Sequence, residues 1–580
     1  MKIFANFWKY LNKNTKLSFF LIIFFSLIQS ILEMMGIAAV IPFVTFLLNP
    51  DALKNIEIIS NYIDIGSISK NEHTIYIFCI ILFSIFFFKN MIIIFTNKLT
   101  YKFVYSFRSN MYKNLLNKIL HQDYLFFVQK GMGKIFHQTF LEVQNFSANI
   151  VRPIIILVIE IFISFAIIIL VIYTGYANGI IYIIPIFILA ALILKKINRS
   201  IKLWSNERIA SNEKIFNLNF NLIHGIKEIF ISGKIKKILD NINMPLENLK
   251  NIDSKNAVVA TLPKAILEQF IILVLIMIIL SMRFVGSASE EIIITLTFYV
   301  AVAYRLVPSF NKIFTSYQQI KYGKPSLPII NEYSNLKKQN IFFDDANYKE
   351  INDDKIITFK DNVEFKNISF SYDGENKIIK DLNFKINKND LIGIYGKSGS
   401  GKSTFVNLLT RLIKPSSGQI FIDDVEIENL NDARKYQNFF NITSQDTFLL
   451  NGTIKDNIVF GSQSKISTKT LDDAIKFARL EEMLAELPNG IETDTGLTFK
   501  KLSSGQKQRI TIARSIYLDR EILIFDEATN ALDEENEKII IENICKLKLK
   551  KTIIIISHNL ENLSKCDVIY TLKKGKLIKN

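Results

Sequence analysis

The sequence predicts two joined folds: an α-helical domain of six membrane spans, then an α/β domain built around a phosphate-binding loop. Three observations predict this. Six long apolar runs lie within residues 1–325. Beyond residue 360, short β-rich runs alternate with helix-like stretches. One of those β-rich runs leads straight into Gly396-Lys-Ser-Gly-Ser-Gly-Lys-Ser403. Composition agrees. At 580 residues the chain is too long for one ordinary domain. With 49% hydrophobic residues it is no disordered chain, and 22 Gly and 11 Pro exclude a collagen-like one. Three cysteines, Cys79, Cys545 and Cys566, make no disulfide scaffold and fit no metal-binding spacing.

The apolar runs are Leu17–Leu48, Thr74–Thr96, Ile150–Tyr173, Ile180–Leu194, Val258–Met282 and Ile292–Val307. Most reach or approach the roughly 20 residues that cross about 30 Å of hydrocarbon; the fourth and sixth lengthen into polar flanks. The first is too long for a signal peptide and lacks a small-residue cleavage site. Basic residues set the orientation. Lys2, Lys9, Lys13 and Lys16 precede span one; Lys98 to Lys134 follows span two; Lys195 to Lys255 follows span four. The loop 49–73 is net acidic and the loop 175–179 is uncharged. The N-terminus and both long basic loops are therefore expected in the cytoplasm. Much of the net charge of +16 is then accounted for without nucleic acid.

The expected boundaries are a membrane domain over 1–325, a polar linker over 326–360 and a nucleotide-binding domain over 361–580. In the last, Val363–Phe370, Leu391–Tyr395 and Ile522–Phe525 read as strands of a mainly parallel sheet. The motif GxxxxGK[ST] over Gly396, Lys397, Ser398, Gly399, Ser400, Gly401, Lys402 and Ser403 sits between such a strand and the helix-like run Thr404–Ile413. Its glycines let backbone N–H groups close on phosphate oxygens, and the helix N-terminus adds partial positive charge. Lys402 is expected to reach the β- and γ-phosphates of ATP, and the Ser403 hydroxyl to ligate Mg²⁺. The strand Ile522–Phe525 ends in Asp526 and Glu527, read as a Mg²⁺ holder acting through water and a general base.

Further pieces stand in order. Tyr372 lies in Phe370-Ser-Tyr-Asp, Gln445 in Thr443-Ser-Gln-Asp and Leu502-Ser-Ser-Gly-Gln506 before a helix-like run. Asn530-Ala-Leu-Asp533 and Ile556-Ser-His-Asn complete the set. Over nearly its whole length the chain resembles an ABC exporter half-transporter. The resemblance implies that Tyr372 stacks on adenine, that Gln445 links Mg²⁺ and water to the membrane domain, and that His558 contacts the γ-phosphate. It implies that Ser503, Gly505 and Gln506, with Thr404 and the other phosphate-loop residues, bind ATP, the signature serving the nucleotide of a second subunit. A homodimer is expected, with a heterodimer as the alternative. Two departures stand out: Ser504 replaces the family's usual Gly, and the segment Thr495–Lys501 lacks the Glu that most exporters carry near Leu497. Gln122–Phe127 and Gly225–Gly233 resemble the two cytoplasmic coupling helices.

Three cations lie inside the spans: Lys89, Lys264 and Arg305. Counting 1.5 Å per residue places each about 8–10 Å above the cytoplasmic boundary. Charges at such depth are functional candidates, here for an anionic headgroup. Lys264 and Glu268 could also pair at i,i+4, and Glu160 could neutralise Arg305. The stretches Ser30–Ile37, Leu262–Glu268 and Tyr304–Ser309 resemble bacterial flippases for polyprenyl-diphosphate-linked oligosaccharides. The resemblance implies ATP-driven flipping of such a lipid across the bacterial cytoplasmic membrane. Export of a lipid-A-like molecule or a peptide, and an ATP-gated channel or regulator, are the alternatives. The apolar spacing of Leu53–Ile65 suggests a short interfacial helix touching the polyprenyl tail.

Overall fold

A computed structural model describes residues 7–48, 73–174, 180–286, 288–337, 357–462, 467–495 and 502–580. The expected interfacial helix at 53–65 and the segment around Leu497 lie outside these residues. The chain divides into two compact units. The first holds residues 1–120 and 127–337, the second 121–126 and 338–580.

The first unit is helical: α1 (Lys13–Ala38), α2 (Val40–Leu48), α3 (His73–Leu120), α4 (Tyr124–Lys130, of which 124–126 belong to the second unit), α5 (Arg152–Tyr173), α6 (Ile180–His224), α7 (Ile226–Ser232), α8 (Ile235–Val285), α9 (Ser289–Gly323) and α10 (Ser326–Ser334). Five helical stretches among the described residues are long and apolar enough to cross a membrane: Lys13–Thr45, Tyr76–Leu120, Met132–Tyr173, Ile235–Val285 and Ser289–Gly323. The fourth expected run falls within α6. Phe83, Phe87, Phe88 and Ile94 of α3 stand exposed along one apolar surface, which suits hydrocarbon better than water. α5 packs between α1 and α9, and α8 lies against α6 and α9. The lower ends of α1 and α3 share an aromatic cluster of Phe7, Phe19, Phe103 and Phe107 with ring centroids 5.8–6.4 Å apart.

Two π-helical turns, His137–Leu141 and Ser147–Val151, precede α5. Between them, fully buried Glu142 accepts a hydrogen bond from Ser326 and lies 3.9 Å from Arg208 of α6. This buried acid explains why 326–334, read from the sequence as linker, is instead a helix of the first unit.

The second unit contains two sheets. β2 (Ile379–Asn387), β1 (Asn362–Phe370), β4 (Ser417–Ile422) and β5 (Val425–Glu426) form an antiparallel sheet in that order. β10 (Lys576–Lys579), β9 (Val568–Lys573), β3 (Leu391–Tyr395), β8 (Thr552–Ser557), β7 (Ile522–Asp526) and β6 (Phe440–Thr443) form the other. Its five strands from β9 to β6 run parallel. β3, β7 and β8 are buried on both faces, as their continuous Ile, Leu and Phe runs require. The helix after the phosphate loop, α11 (Lys402–Leu409), stops short of the expected Ile413 because Arg411 turns left-handed at φ 56°. Residues 121–126 group with this unit: Leu125 packs on the core that contains Phe405 and Tyr436.

Asp423 ties the entry to β1. Its carboxylate accepts from the backbone N–H groups of Lys360, Asp361 (2.8 Å) and Asn362 (3.0 Å). Burial pushes its pKa up, but these donors outweigh it and hold it below the usual carboxylate value. The stabilisation is thus present above about pH 3.9, the unfolded-state pKa, and is lost as pH falls through the lower folded-state pKa. Asp423→Ala is expected to lower stability by about 1–2 kcal/mol at pH 7, given its partial exposure. Denaturant midpoints of variant and parent should converge in strong acid.

Candidate functional site

The parallel strands β3, β6, β7 and β8 end side by side, and each hands a candidate residue to one crevice. Tyr395 pairs with Ser557, Asp526 with Ile556 and Thr443 with Phe525. That register brings together the phosphate loop after β3, Gln445 after β6, Glu527 after β7 and His558 after β8. A crevice at the carboxyl ends of parallel strands is the usual ligand position of such sheets. Here it is a cavity of about 790 Å³ lined among others by Ser398, Lys402, Ser403, Gln445, Glu527 and His558. Lys397, Gly399, Gly401 and Thr404 also line it.

The loop's shape depends on its glycines. Gly399 and Gly401 have φ of 76° and 101°. A Cβ at Gly396 would stand 2.6 Å from Ser400 Oγ. That Oγ is buried and has no hydrogen-bond partner among the described residues.

Lys402 donates to the Gly396 carbonyl at 2.9 Å and to Glu527 Oε1 at 2.5 Å. The Lys402–Glu527 pair is about nine-tenths buried on both sides. His558 Nδ1 lies 3.5 Å from the same Glu527 oxygen, and Asn530 donates to the other at 3.0 Å. Glu527 itself is left-handed, φ 49°, and its N–H donates to the Ile556 carbonyl. Such a backbone in a non-glycine residue is strain held by the neighbouring strands. Burial pushes the Glu527 pKa up, but the hydrogen bond and charge of Lys402, helped by His558, bring it below the ordinary value. Asp526 goes the other way. Burial, then the Glu527 charge, pushes it up to about 6 against the pull of Lys402. Two adjacent carboxyls facing one lysine are short of positive charge. A divalent cation fits that deficit, with Ser403, Gln445 and Asp526 as its available oxygen donors.

The other candidates do not line this cavity. Tyr372 packs edge-on against Phe370, ring centroids 4.8 Å apart, with its hydroxyl 3.4 Å from Thr404 Oγ1. Ser503, Gly505 and Gln506 do not line the cavity of their own chain. Ser503 is the N-cap of α12 (Ser504–Tyr517) in a reciprocal capping box with Gln506. Ser504 is the first helical residue and leaves the box intact. The same helix grips the segment 530–533: Gln508 Oε1 accepts from Ala531 N at 3.0 Å, and a Cβ on Gly505 would meet Ala531 O at 2.8 Å. Gly505→Ala is therefore expected to displace that segment and lower ATP turnover roughly tenfold, from about 1–3 kcal/mol of overpacking. Steady-state hydrolysis by the purified variant checks this.

In the helical unit, two of the three candidate cations come together and the third does not. Arg305 Nε lies 2.8 Å from Glu33 Oε1, and Lys89 Nζ 3.4 Å from Glu33 Oε2. Arg305 also approaches Glu160 at 3.6 Å, and Lys312 approaches Glu160 at 2.6 Å. Lys264 pairs loosely with Glu268 at 3.8 Å, both more than half exposed, beside an apolar cavity of about 690 Å³. Glu33 and Lys312 were missed as partners. The signal was present for Glu33, a lone carboxylate within an apolar span.

These features define a fold class: the chain has the fold of an ABC exporter, a helical membrane domain followed by a P-loop α/β ATPase domain. Residues 379–530 match the family described as ABC transporter. The structure is similar to that titled a bacterial Atm1-family ABC exporter with ATP bound, with a TM-score of 0.77 at 19% identity, over 95% of this chain and 93% of that one. In sequence the chain is 32% identical over 382 residues to an ATP-dependent lipid A-core flippase of Wigglesworthia glossinidia brevipalpis, covering 63% of each protein. It is also 32% identical over 280 residues to a putative ABC transporter ATP-binding protein, MG015, of Mycoplasma genitalium, covering 48% of this chain and 46% of that protein. The chain thus spans less than two thirds of the length of these curated relatives.

Proposed function

We propose that the chain is an ATP-driven transporter that flips an anionic, lipid-linked substrate across a membrane, most plainly a polyprenyl-diphosphate-linked oligosaccharide. The observation that carries the ATPase part is the convergence of Lys402, Ser403, Gln445, Glu527 and His558 on one crevice. The observation that supports an anionic headgroup is the placement of Lys89 and Arg305 together within the membrane spans. Flippase relatives support lipid movement in general. A lipid-A-like substrate fits them equally well, and the same phosphate chemistry would serve it.

The nucleotide cycle follows from the crevice. Lys402 neutralises Glu527 in the crevice. ATP phosphates compete for the Lys402 ammonium and release Glu527; burial raises the Glu527 pKa and Lys402 lowers it, so the released carboxylate is the stronger base. Glu527 then orients water and accepts its proton, with His558 beside it to face the γ-phosphate. Ser403, Gln445 and Asp526 would hold Mg²⁺, which would supply neutralisation of phosphate charge. Ser503, Gly505 and Gln506 lie outside their own chain's crevice, which supports a dimer in which each signature closes the partner's nucleotide. The two-chain assembly, the multi-pass placement in a bacterial inner membrane and the cytoplasmic ATPase domain belong to this reading.

The test is stimulation of ATP hydrolysis in nanodiscs by candidate lipids. A polyprenyl diphosphate bearing a glycan is expected to stimulate at lower concentration than a neutral prenol or a hydrophobic peptide. Replacing Lys89, Lys264 and Arg305 with Gln together should weaken that stimulation by roughly tenfold or more. Equal stimulation by the neutral prenol would contradict the anionic-headgroup reading.

A further inference from the structure

The two cations of spans two and six are not free in this structure. They share one carboxylate, Glu33 of span one, only 4% exposed. Three cations, Lys89, Arg305 and Lys312, face two acids, Glu33 and Glu160, so the cluster has one positive charge in excess. A buried cluster gains little stability from its charges alone, because desolvation opposes the attraction. Its hydrogen bonding is also incomplete. Arg305 Nε lies within ion-pair distance of Glu33, but its N–H is not aligned on any acceptor among the described residues. Glu160 Oε2 likewise accepts no hydrogen bond among them. The cluster therefore offers a buried, unmet donor beside an excess cation, and a carboxylate occupies the place where another anion would fit.

We propose that Glu33 is a built-in placeholder for the substrate's anionic headgroup: it holds Lys89 and Arg305 while the site is empty, and a phosphate or diphosphate displaces it. The inference rests on the anionic-lipid reading above. A diphosphate carries more charge and more acceptor oxygens than a carboxylate, so it completes the donors that Glu33 leaves unmet. The exchange has a mechanical consequence. Glu33 ties span one to spans two and six; its displacement unties span one while the headgroup bridges the other two. Substrate entry thereby becomes a change in helix pairing, which is what a transporter needs to sense occupancy.

Sign separates a placeholder from a structural partner. If Glu33 only positioned the two cations, removing it would weaken anion binding. If it competes, removing it tightens binding. The experiment is calorimetric titration of the full-length chain in detergent with farnesyl diphosphate, using farnesol as the neutral comparator. Glu33→Gln is expected to bind the diphosphate roughly tenfold tighter than the parent, and Lys89→Gln more weakly. Glu33→Asp keeps the charge but shortens the reach to both cations, so it keeps the cluster neutralised and is expected to bind severalfold tighter. It carries the test if Glu33→Gln fails to fold. Equal or weaker diphosphate binding by the Glu33 variants, with the parent still preferring diphosphate to farnesol, would overturn the placeholder and leave the anionic reading standing. No preference for diphosphate over farnesol in the parent or either Glu33 variant would overturn both.

Discussion

Glu527→Gln in the full-length chain is expected to lower ATP turnover by at least about 10²-fold while nucleotide binding persists, because removing a positioned general base typically costs 10²–10⁴-fold. The geometry makes the expectation specific. Glu527 is fixed by its left-handed backbone, by its N–H on Ile556 and by Asn530 on one carboxylate oxygen. Gln preserves the shape and can still receive a hydrogen bond from Asn530. It cannot take a proton from water. It also removes the charge that neutralises Lys402, so that lysine should meet the phosphates with less competition. The variant is therefore expected to bind ATP at least as tightly as the parent. Near-parental hydrolysis would remove Glu527 from the role of base.

Lys402→Ala is expected to act earlier, on binding. The ammonium donates to both the Gly396 carbonyl and Glu527, the acid just after β7. Its loss removes a charge-assisted contact to phosphate and leaves the carboxyls of Asp526 and Glu527 facing each other across a partly buried site. Repulsion between them would then add to that loss. ATP affinity should fall by roughly 10²-fold or more, with turnover falling at least as far. Fluorescent nucleotide titration and steady-state hydrolysis separate the two effects. The contrast is informative: Gln at 527 abolishes chemistry and spares binding, while Ala at 402 loses both.

Much of this architecture could be read from the sequence because its signals are local. The strand before the phosphate loop, Leu391–Tyr395, was bounded to the residue by its apolar run and the glycine that follows. Ile522–Phe525 was legible from its apolar run and the two acids that end it, and the strand extends one residue further to Asp526. The membrane runs were legible from length and hydropathy, although the helices extend well beyond them; α8 runs from Ile235, far ahead of its apolar part. Long-range pairing was harder. Lys89, Lys264 and Arg305 could be placed at a common depth by counting residues, but depth along a helix does not give its rotation. Rotation turns Lys89 and Arg305 towards Glu33 and leaves Lys264 beside Glu268 on an exposed face. The Arg305–Glu160 approach was anticipated because Glu160 is the only acid of its span. The end of the expected linker was misread for a similar reason. Ser326 bonds Glu142, a partner that no local pattern announces.

The placement of the ATP-site residues also separates two kinds of motif. The phosphate loop, Gln445, Glu527 and His558 end neighbouring parallel strands, so topology alone brings them together. Ser503, Gly505 and Gln506 begin a helix that serves a different face. Within one chain their contacts are internal: a capping box and a grip on residues 530–533. In the dimer proposed above, they would face the partner's nucleotide.

The central claim is that ATP hydrolysis drives an anionic lipid across the membrane. Its most direct test is ATP-dependent movement of a polyprenyl-diphosphate oligosaccharide between leaflets of proteoliposomes containing the full-length chain, with Glu527→Gln as the blank. The account predicts movement with the parent and none with the variant. Active hydrolysis by the parent with no movement of that lipid above the blank would contradict it.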